Sequence, residues 1–305
     1  DVLPIPLPMN QYGPVALALG LIALSIGLWE LSWFRRSGAP GRKTFPAFST
    51  HQIWCIACSA ALALANGVGA MMGHEGKDFY SDLCTVARCL WVYHYVQLLM
   101  AFFDPRGNGG RHELIVRTGE TLEKAKLPVQ SIPPPFRCFF GCKGAYTPGR
   151  AFMFSTVQLI ELSIAGLIFL SIVKVTLVLE GKYYDEADDD EEDECPDSTG
   201  ITSTIINIAS IFVNIMGVAG MVVLTGLLEQ HILPGNRANV AFRHNMFLFI
   251  LPFQAAVQNA LVFGIILPGV MGKCEARNLL FLVVAIEMVI FQVSSLVLKR
   301  ALDSP

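Results

Sequence analysis

Long apolar runs separated by short polar blocks form the main pattern of this chain. Seven runs reach the length of about 20 residues that a helix needs to cross the hydrocarbon core of a bilayer. They cover residues 14–34, 48–72, 80–103, 151–179, 201–227, 240–267 and 276–298. The pattern predicts an all-α membrane protein, a bundle of seven transmembrane helices that forms the single domain of a 305-residue chain.

The third run is the most polar of the seven, because Arg88, His94 and Gln97 interrupt it. The remaining residues from Leu90 to Phe103 are mostly apolar or aromatic. A polar stripe is allowed on a transmembrane helix that faces other helices instead of lipid. We therefore predict that this run also spans the membrane.

The lysines and arginines are distributed unequally between the two sets of polar segments. Sixteen lie in segments 35–47, 104–150 and 228–239, at Arg243 near the start of the sixth run, or after residue 298. Four lie in the alternate segments or at Arg277 near the start of the seventh run, and Arg88 and Lys174 lie deeper inside runs. Cytoplasmic loops carry the excess of positive charge. The distribution predicts a chain whose N-terminus is outside and whose C-terminus is in the cytoplasm.

Composition excludes several classes of function. Hydrophobic residues make up 53% of the chain and charged residues 15%, where soluble domains have about 25% charged residues. A net charge of −3 does not favour a nucleic-acid partner. No metalloprotease or nucleophile-elbow motif is present, so we expect no enzyme, no catalytic residue, no metal and no cofactor. We expect a multi-pass protein of the plasma membrane or an endomembrane, with membrane lipids as partners.

Two loops have distinctive composition. The outer loop, 180–200, contains the acidic run Asp188 to Glu194, which is typical of a solvated segment, with a trap for cations as the alternative. In the cytoplasmic loop, 104–150, charged and apolar positions mix over 111–126, which predicts an amphipathic helix on the membrane surface. Three prolines, 133–135, then end any helix.

The eight cysteines fall into three groups. Cys138 and Cys142 lie among aromatic and basic residues after the prolines, where S-palmitoylation is a candidate modification and two unmodified thiols are the alternative. Cys84, Cys195 and Cys274 are predicted on or near the oxidising outer side, where one disulfide is expected between an undetermined pair. The others, expected to be packing residues, are Cys55, Cys58 and Cys89.

Ionisable and amide side chains at membrane depth are candidates for function, because they are costly there. The alternative is hydrogen bonding that holds the helices together. Lys174 is near the end of its run and is expected to extend to the interface. We predict that spans three, six and seven line a solute groove. The candidate residues of the solute path are Arg88, Trp91, Tyr95, Gln158, Glu161, Gln254, Gln258 and Glu287; His94 and His244 also lie within runs.

Short motifs occur in a fixed order between residues 80 and 298. They are Tyr80-x-Asp82, Cys89, Val92-Tyr93, Gly109-Gly110, Pro133 to Cys142 with Gln158, Ile206 to Ser210, Leu233-Pro234, Phe242, Pro252-Phe253-Gln254 and Ile286-Glu287-Met288. Together they resemble the organic solute transporter alpha-subunit family, including its sister branch, the transmembrane protein 184 group. The acidic outer run and Phe253, where the family usually has Trp, depart from that pattern.

The resemblance implies a seven-helix, receptor-like bundle that moves amphipathic organic solutes by facilitated diffusion. The solutes would be steroid conjugates, bile-acid-like anions or lipid-like molecules. The resemblance also implies a single-span beta-type subunit as partner, and a homodimer. Two alternatives stay open: an accessory or scaffold subunit of a membrane assembly, and a seven-helix receptor. Against a rhodopsin-type receptor, Phe102 to Pro105 replaces the Asp-Arg-Tyr triplet and span seven has no lysine before Lys299.

Overall fold

The computed structural model describes residues 12–36, 46–72, 74–101, 110–126, 128–180, 201–231, 276, 279–290 and 292–293. This part of the chain is almost entirely helical, as the sequence predicts. Its helices are α1 (Tyr12–Arg36), α2 (Pro46–Met71), α3 (His74–Ala101), α4 (Arg111–Lys124), α5 (Arg150–Leu179), α6 (Ile201–His231) and α7 (Leu279–Ile290). Between α4 and α5 lie two short strands, β1 (Gln130–Ser131) and β2 (Ala145–Tyr146), and a 3₁₀ helix, Pro134–Phe140. The predicted sixth run, 240–267, lies outside the described residues.

Four of the described helices are long and apolar enough to cross a membrane. Their qualifying segments are Gly13–Ser32, Thr50–Met71, Arg150–Leu179 and Thr204–Leu224. α3 is long enough but more polar, since charged residues such as Asp82 and Arg88 interrupt it. α7 is apolar and shorter over its described length. These helices indicate a membrane protein.

α1 and α2 approach each other closely through small residues spaced seven apart. A Cβ added at Gly20 would lie 2.6 Å from the carbonyl oxygen of Ala63, and one at Gly13 would lie 2.9 Å from that of Ala70. Ala16 and Ala23 on the same face are fully buried. Such contacts replace the hydrophobic effect as the source of association between helices surrounded by lipid.

Polar side chains attach α7 to α2. The Asn66 amide donates to the carbonyl oxygen of Phe281. The Gln292 amide, just beyond α7, donates to the Ser59 hydroxyl at 2.5 Å and to the carbonyl oxygen of Ile56 at 3.4 Å. Burial away from water makes each of these hydrogen bonds costly to leave unmade.

The predicted amphipathic helix is present as α4, but it packs against protein. Its buried residues Leu114, Ile115 and Leu122 join a core cluster with α3 and α5. Arg111 pairs with Glu161, whereas Glu120 pairs with Arg150 at the other end of α4. α4 therefore lies antiparallel to the first turns of α5, and its apolar face is covered by helices instead of a membrane surface.

The segment between α4 and α5 forms a hairpin that folds back along α5. α4 ends before Lys126, which has a φ of 50°. β1 and β2 pair antiparallel, and the 3₁₀ helix between them begins with prolines, which its first turn tolerates. Gly141 and Cys142 have φ values of 67° and 59° and reverse the chain. The 3₁₀ helix is the tip of this hairpin.

Candidate functional site

Arg88 borders a small cavity enclosed by α3, α5 and α6. The cavity has a volume of about 80 Å³. Thr85, Arg88 and Trp91 reach it from α3, Ser163 from α5 and Asn214 from α6. Among the residues that the structure describes, Arg88 has no carboxylate in an ion pair with it. The cavity thus combines a cation, an indole, two hydroxyls and an amide.

The helices hold these polar groups in fixed positions. Ser163 donates its hydroxyl proton to the carbonyl oxygen of Val213, at 2.7 Å, which joins α5 to α6. The Asn214 amide donates to the carbonyl oxygen of Ser210 at 2.9 Å within α6. A Cβ on Gly166 would lie 3.0 Å from Val213, so the absence of a side chain there permits the close approach of α5 and α6.

An ion pair lies farther along α3 and α5, toward their predicted outer ends. The Lys174 ammonium is 3.3 Å from a carboxylate oxygen of Asp82, and only 15% and 12% of the two side chains are exposed. Lys174 therefore pairs within the bundle, instead of extending to the interface as the sequence suggested. Asp82 is part of the motif Tyr80-x-Asp82, but no sequence pattern indicated Lys174 as its partner.

Trp91 and Tyr95, two candidates for the solute path, stack one turn apart on α3. Their ring centroids are 6.1 Å apart and the planes are inclined by 17°. Both side chains are almost fully buried in the core cluster that α2 joins through Cys55. Trp91 borders the cavity, while Tyr95 lies beyond it.

His94 lies in a cluster of aromatic side chains between α2 and α3. Its Nδ1 is 3.5 Å from Nδ1 of His51. At this distance one ring nitrogen can donate a hydrogen bond to the other, and the tautomers of the two rings set its direction. The Trp54 ring stacks on His94 with ring centroids 5.2 Å apart, and the Tyr93 ring meets His94 edge-on at the same centroid distance. Sequence inspection missed His51, which is only the sixth residue of α2.

Glu161 faces away from the Arg88 cavity. Arg111 donates two hydrogen bonds to its carboxylate through Nε and Nη2. Hydrogen bonding to Glu161 raises the pKa of the Arg111 guanidinium. This bidentate pair fixes the beginning of α4 beside α5. Gln158 and Glu161, both candidates for the solute path, thus point to different surroundings.

Gln158 lines a separate groove between the hairpin and the first turns of α5, which we name the hairpin groove. It has a volume of about 670 Å³ and is lined by Ile132, Phe139, Phe140, Lys143, Ala145, Tyr146, Ala151, Phe152, Ser155, Gln158 and Leu162, among others. The Tyr146 ring stacks on Phe152 with centroids 3.5 Å apart. Burial raises the pKa of the Tyr146 phenol to about 12.

The cysteines separate by burial. Cys138 and Cys142, the candidates for lipidation, are exposed on the tip of the hairpin. Cys55 and Cys89 are buried, as expected of packing residues. Cys58 is partly buried against the core cluster that contains Cys55. Cys84, a candidate for a disulfide, is buried beside Leu62 and Met288.

Most of the remaining candidates lie outside the residues that the structure describes. Gln254, Gln258, His244, Cys195 and Cys274 lie outside the described residues. Glu287 lies on α7 and is partly exposed, next to the buried Met288. Of the predicted solute path, the structure brings together Arg88 and Trp91, with α5 and α6 as the other walls.

Comparisons with family models, curated protein sequences and solved structures give no significant match.

Proposed function

We propose that this chain is a seven-helix membrane protein, resembling organic solute transporter alpha subunits, that moves amphipathic organic anions by facilitated transport. The observation that supports it most is the half-buried Arg88, which borders a cavity beside Trp91 with no carboxylate partner among the described residues. A cation, an aromatic face and a few hydrogen-bonding groups within apolar walls suit an anion that carries an apolar body.

The cavity of about 80 Å³ is smaller than the ~300–1,000 Å³ of sites that enclose drug-sized ligands. A steroid-sized solute therefore requires α3, α5 and α6 to separate during transport. Relative movement of helix groups around a fixed site is the usual basis of alternating access. Gly166 and Gly220 suit such movement, because contacts at glycines involve fewer interlocked side chains.

The proposed topology has the N-terminus outside and the C-terminus in the cytoplasm. α5 has 30 residues and a length of about 45 Å, whereas the hydrocarbon core is ~30 Å thick. Since α4 covers the first turns of α5, we place the beginning of α5, together with α4, at the cytoplasmic side of the bilayer. A glycosylation tag at residue 190 should be modified and one at residue 120 should not. Modification at residue 120 would contradict this orientation.

The partners in this proposal are membrane lipids, a single-span beta-type subunit and a second copy of the chain. Large apolar side chains on α1 are exposed in the single chain and need a covering of lipid or protein. They are Val15, Leu21, Ile22, Leu28 and Trp29. The protein would act in the plasma membrane or an endomembrane.

Flux in proteoliposomes tests the proposed activity. The full chain, purified in mild detergent with any small protein that accompanies it, would be reconstituted and supplied with a radiolabelled steroid sulfate. Arg88→Gln should reduce uptake by ~10-fold or more, because it removes the charge that attracts the anion. Arg88→Lys should keep part of the flux. Arg117→Gln, on the exposed side of α4, is the matched control.

Two results would favour the other functions. If the wild-type chain gives no flux but co-purifies with a partner in stoichiometric amount, it would be a scaffold or accessory subunit. A response of a cytoplasmic partner to the solute without flux would indicate a receptor.

A further inference from the structure

We propose that the hairpin groove binds one anionic phospholipid of the cytoplasmic leaflet, with its acyl chain against α5 and its negatively charged headgroup beside Lys143. This site is separate from the Arg88 cavity and does not depend on transport. The lipid would stay bound to the protein, whereas the solute of the proposed function would cross the membrane.

The first observation is the shape and lining of the groove. Its volume of about 670 Å³ lies within the range of ~300–1,000 Å³ for sites that enclose small molecules. Most of its walls are apolar, with aromatic rings from the hairpin tip and from α5. The stacked rings of Tyr146 and Phe152 form a flat wall, and the ring centroid of Phe140 lies 5.7 Å from that of Phe152. Such a surface suits a hydrocarbon chain.

The second observation is that the groove continues into an exposed apolar strip. Leu162, at the end of the groove, is 55% exposed, and Phe169 and Ile172 follow it on the same side of α5 at 64% and 58%. Phe139 of the tip contacts Phe212 of α6, with centroids 5.6 Å apart. If α5 crosses a bilayer, lipid tails cover this strip. A tail lying on it would therefore extend directly into the groove.

The third observation is the charge of the hairpin. No Asp or Glu occurs between Glu123 and Glu161, whereas five lysines and arginines do. Arg150 pairs with acidic residues of α4. Among the described residues, Arg137 and Lys143 have no carboxylate partner, and both are exposed at the tip.

These two cations lie on the hairpin that forms one side of the groove. Arg137 is held across the hairpin, because its Nε donates to the carbonyl oxygen of Ile132 at 3.2 Å. Lys143 lines the groove itself. Anionic lipid headgroups attract basic residues near the cytoplasmic surface. A headgroup with net negative charge and an attached acyl chain therefore matches both the charge and the apolar walls.

Native mass spectrometry of the full chain in mild detergent tests the proposal. The protein would be titrated with dioctanoyl phosphatidylserine and, separately, with dioctanoyl phosphatidylcholine. Lys143→Gln should weaken binding of phosphatidylserine about fivefold, the effect of one basic residue near an anionic lipid, and should change phosphatidylcholine little. Lys126→Gln, an exposed lysine at the base of the hairpin, is the matched control and should not alter either affinity.

A second variant tests the place of the acyl chain. Ser155→Trp puts a large side chain into the groove and should reduce binding of both lipids at least fivefold. Phe154→Trp, at the neighbouring exposed position outside the groove, is its control. Thermal unfolding would establish that all four variants are folded, and only folded variants would be compared.

Three outcomes would overturn the proposal. One is an equal loss of phosphatidylserine in Lys126→Gln and Lys143→Gln, and another is unchanged binding in folded Ser155→Trp. The third is displacement of the lipid by glycerophosphoserine or by a steroid sulfate at the concentrations that dioctanoyl phosphatidylserine requires. Displacement by glycerophosphoserine would indicate a site for a soluble phosphate compound. Displacement by the steroid sulfate would indicate a site for the transported solute.

Discussion

The ammonium group of Lys174 lies 3.3 Å from the Asp82 carboxylate, and this pair joins α3 to α5 where little of either side chain is exposed. Both helices are part of the wall around Arg88. A buried ion pair costs desolvation of two charges, so its net contribution to stability is small. Its removal on one side only, however, takes this opposite charge away from a group that stays largely buried. The pair therefore fixes the separation of α3 and α5 near the cavity.

Neutralising one member of this pair should destabilise the protein strongly. Lys174→Met or Asp82→Asn alone should cost about 3 to 5 kcal/mol, the range for removing one member of a buried ion pair while the other stays buried. The double variant should cost clearly less than the sum of the two. The measurement is thermal unfolding in mild detergent, with Lys124→Met on the exposed end of α4 as control. Single variants with wild-type unfolding midpoints would contradict the prediction.

The contact between α1 and α2 should not tolerate a methyl group at Gly20. An added Cβ would lie 2.6 Å from the backbone oxygen of Ala63, which cannot move without displacing the helix. Gly20→Ala should therefore destabilise by ~1–3 kcal/mol, as overpacking does.

Gly226 is the matched control for that substitution. It is also a helical glycine, but an added Cβ there meets nothing within 4 Å. Gly226→Ala should be neutral or stabilise by up to ~1 kcal/mol, since alanine loses less backbone freedom. Unfolding midpoints that fall equally in both variants would show that the close contact is not the cause.

Apolar run length was sufficient to predict α1, α2, α5 and α6, because a bilayer-spanning helix satisfies its own backbone hydrogen bonds wherever it packs. The position of α4 was not predictable in the same way. Its amphipathic pattern requires an apolar surface on one side, and a membrane or another helix satisfies that requirement equally. Only the contacts of Leu114 and Leu122 with the neighbouring helices decide between them.

The candidate site was predictable in part for a similar reason. Arg88 and Trp91 could be identified from residue type and depth alone, since a buried cation is uncommon. Ser163 and Asn214 could not, because hydroxyl and amide groups in apolar runs most often bond to their own helix. The Asp82–Lys174 and His51–His94 pairs join residues 92 and 43 positions apart. No local sequence pattern identifies residues so far apart in the chain as partners.

The exposed thiols of the hairpin tip should carry acyl chains. Cys138 and Cys142 lie close in the chain to Phe139 and Phe140, which line the hairpin groove that we assign to lipid. Acyl-exchange labelling should be strong in the wild type and should be lost in a double variant with serine at both positions. Cys58→Ser, which removes a partly buried thiol on α2, should label like the wild type. Equal labelling of the wild type and the double variant would contradict acylation.

The Tyr146 phenol should titrate far above the ordinary tyrosine pKa of about 10. Burial against Phe152 disfavours the charged phenolate and raises the pKa to about 12. As pH rises past about 10, the unfolded chain loses this proton while the folded chain keeps it. The stability that Tyr146 contributes is thus fully present below pH ~10 and is lost as pH approaches ~12.

Subtracting the tyrosinate absorbance of Tyr146→Phe from that of the wild type isolates the titration of Tyr146. The difference should stay near zero up to about pH 11, and Phe152→Ala should move its midpoint toward the ordinary value by admitting water. Phe154→Ala, at an exposed position outside the groove, should leave the midpoint unchanged, and a wild-type midpoint near 10 would show that the stack does not exclude water.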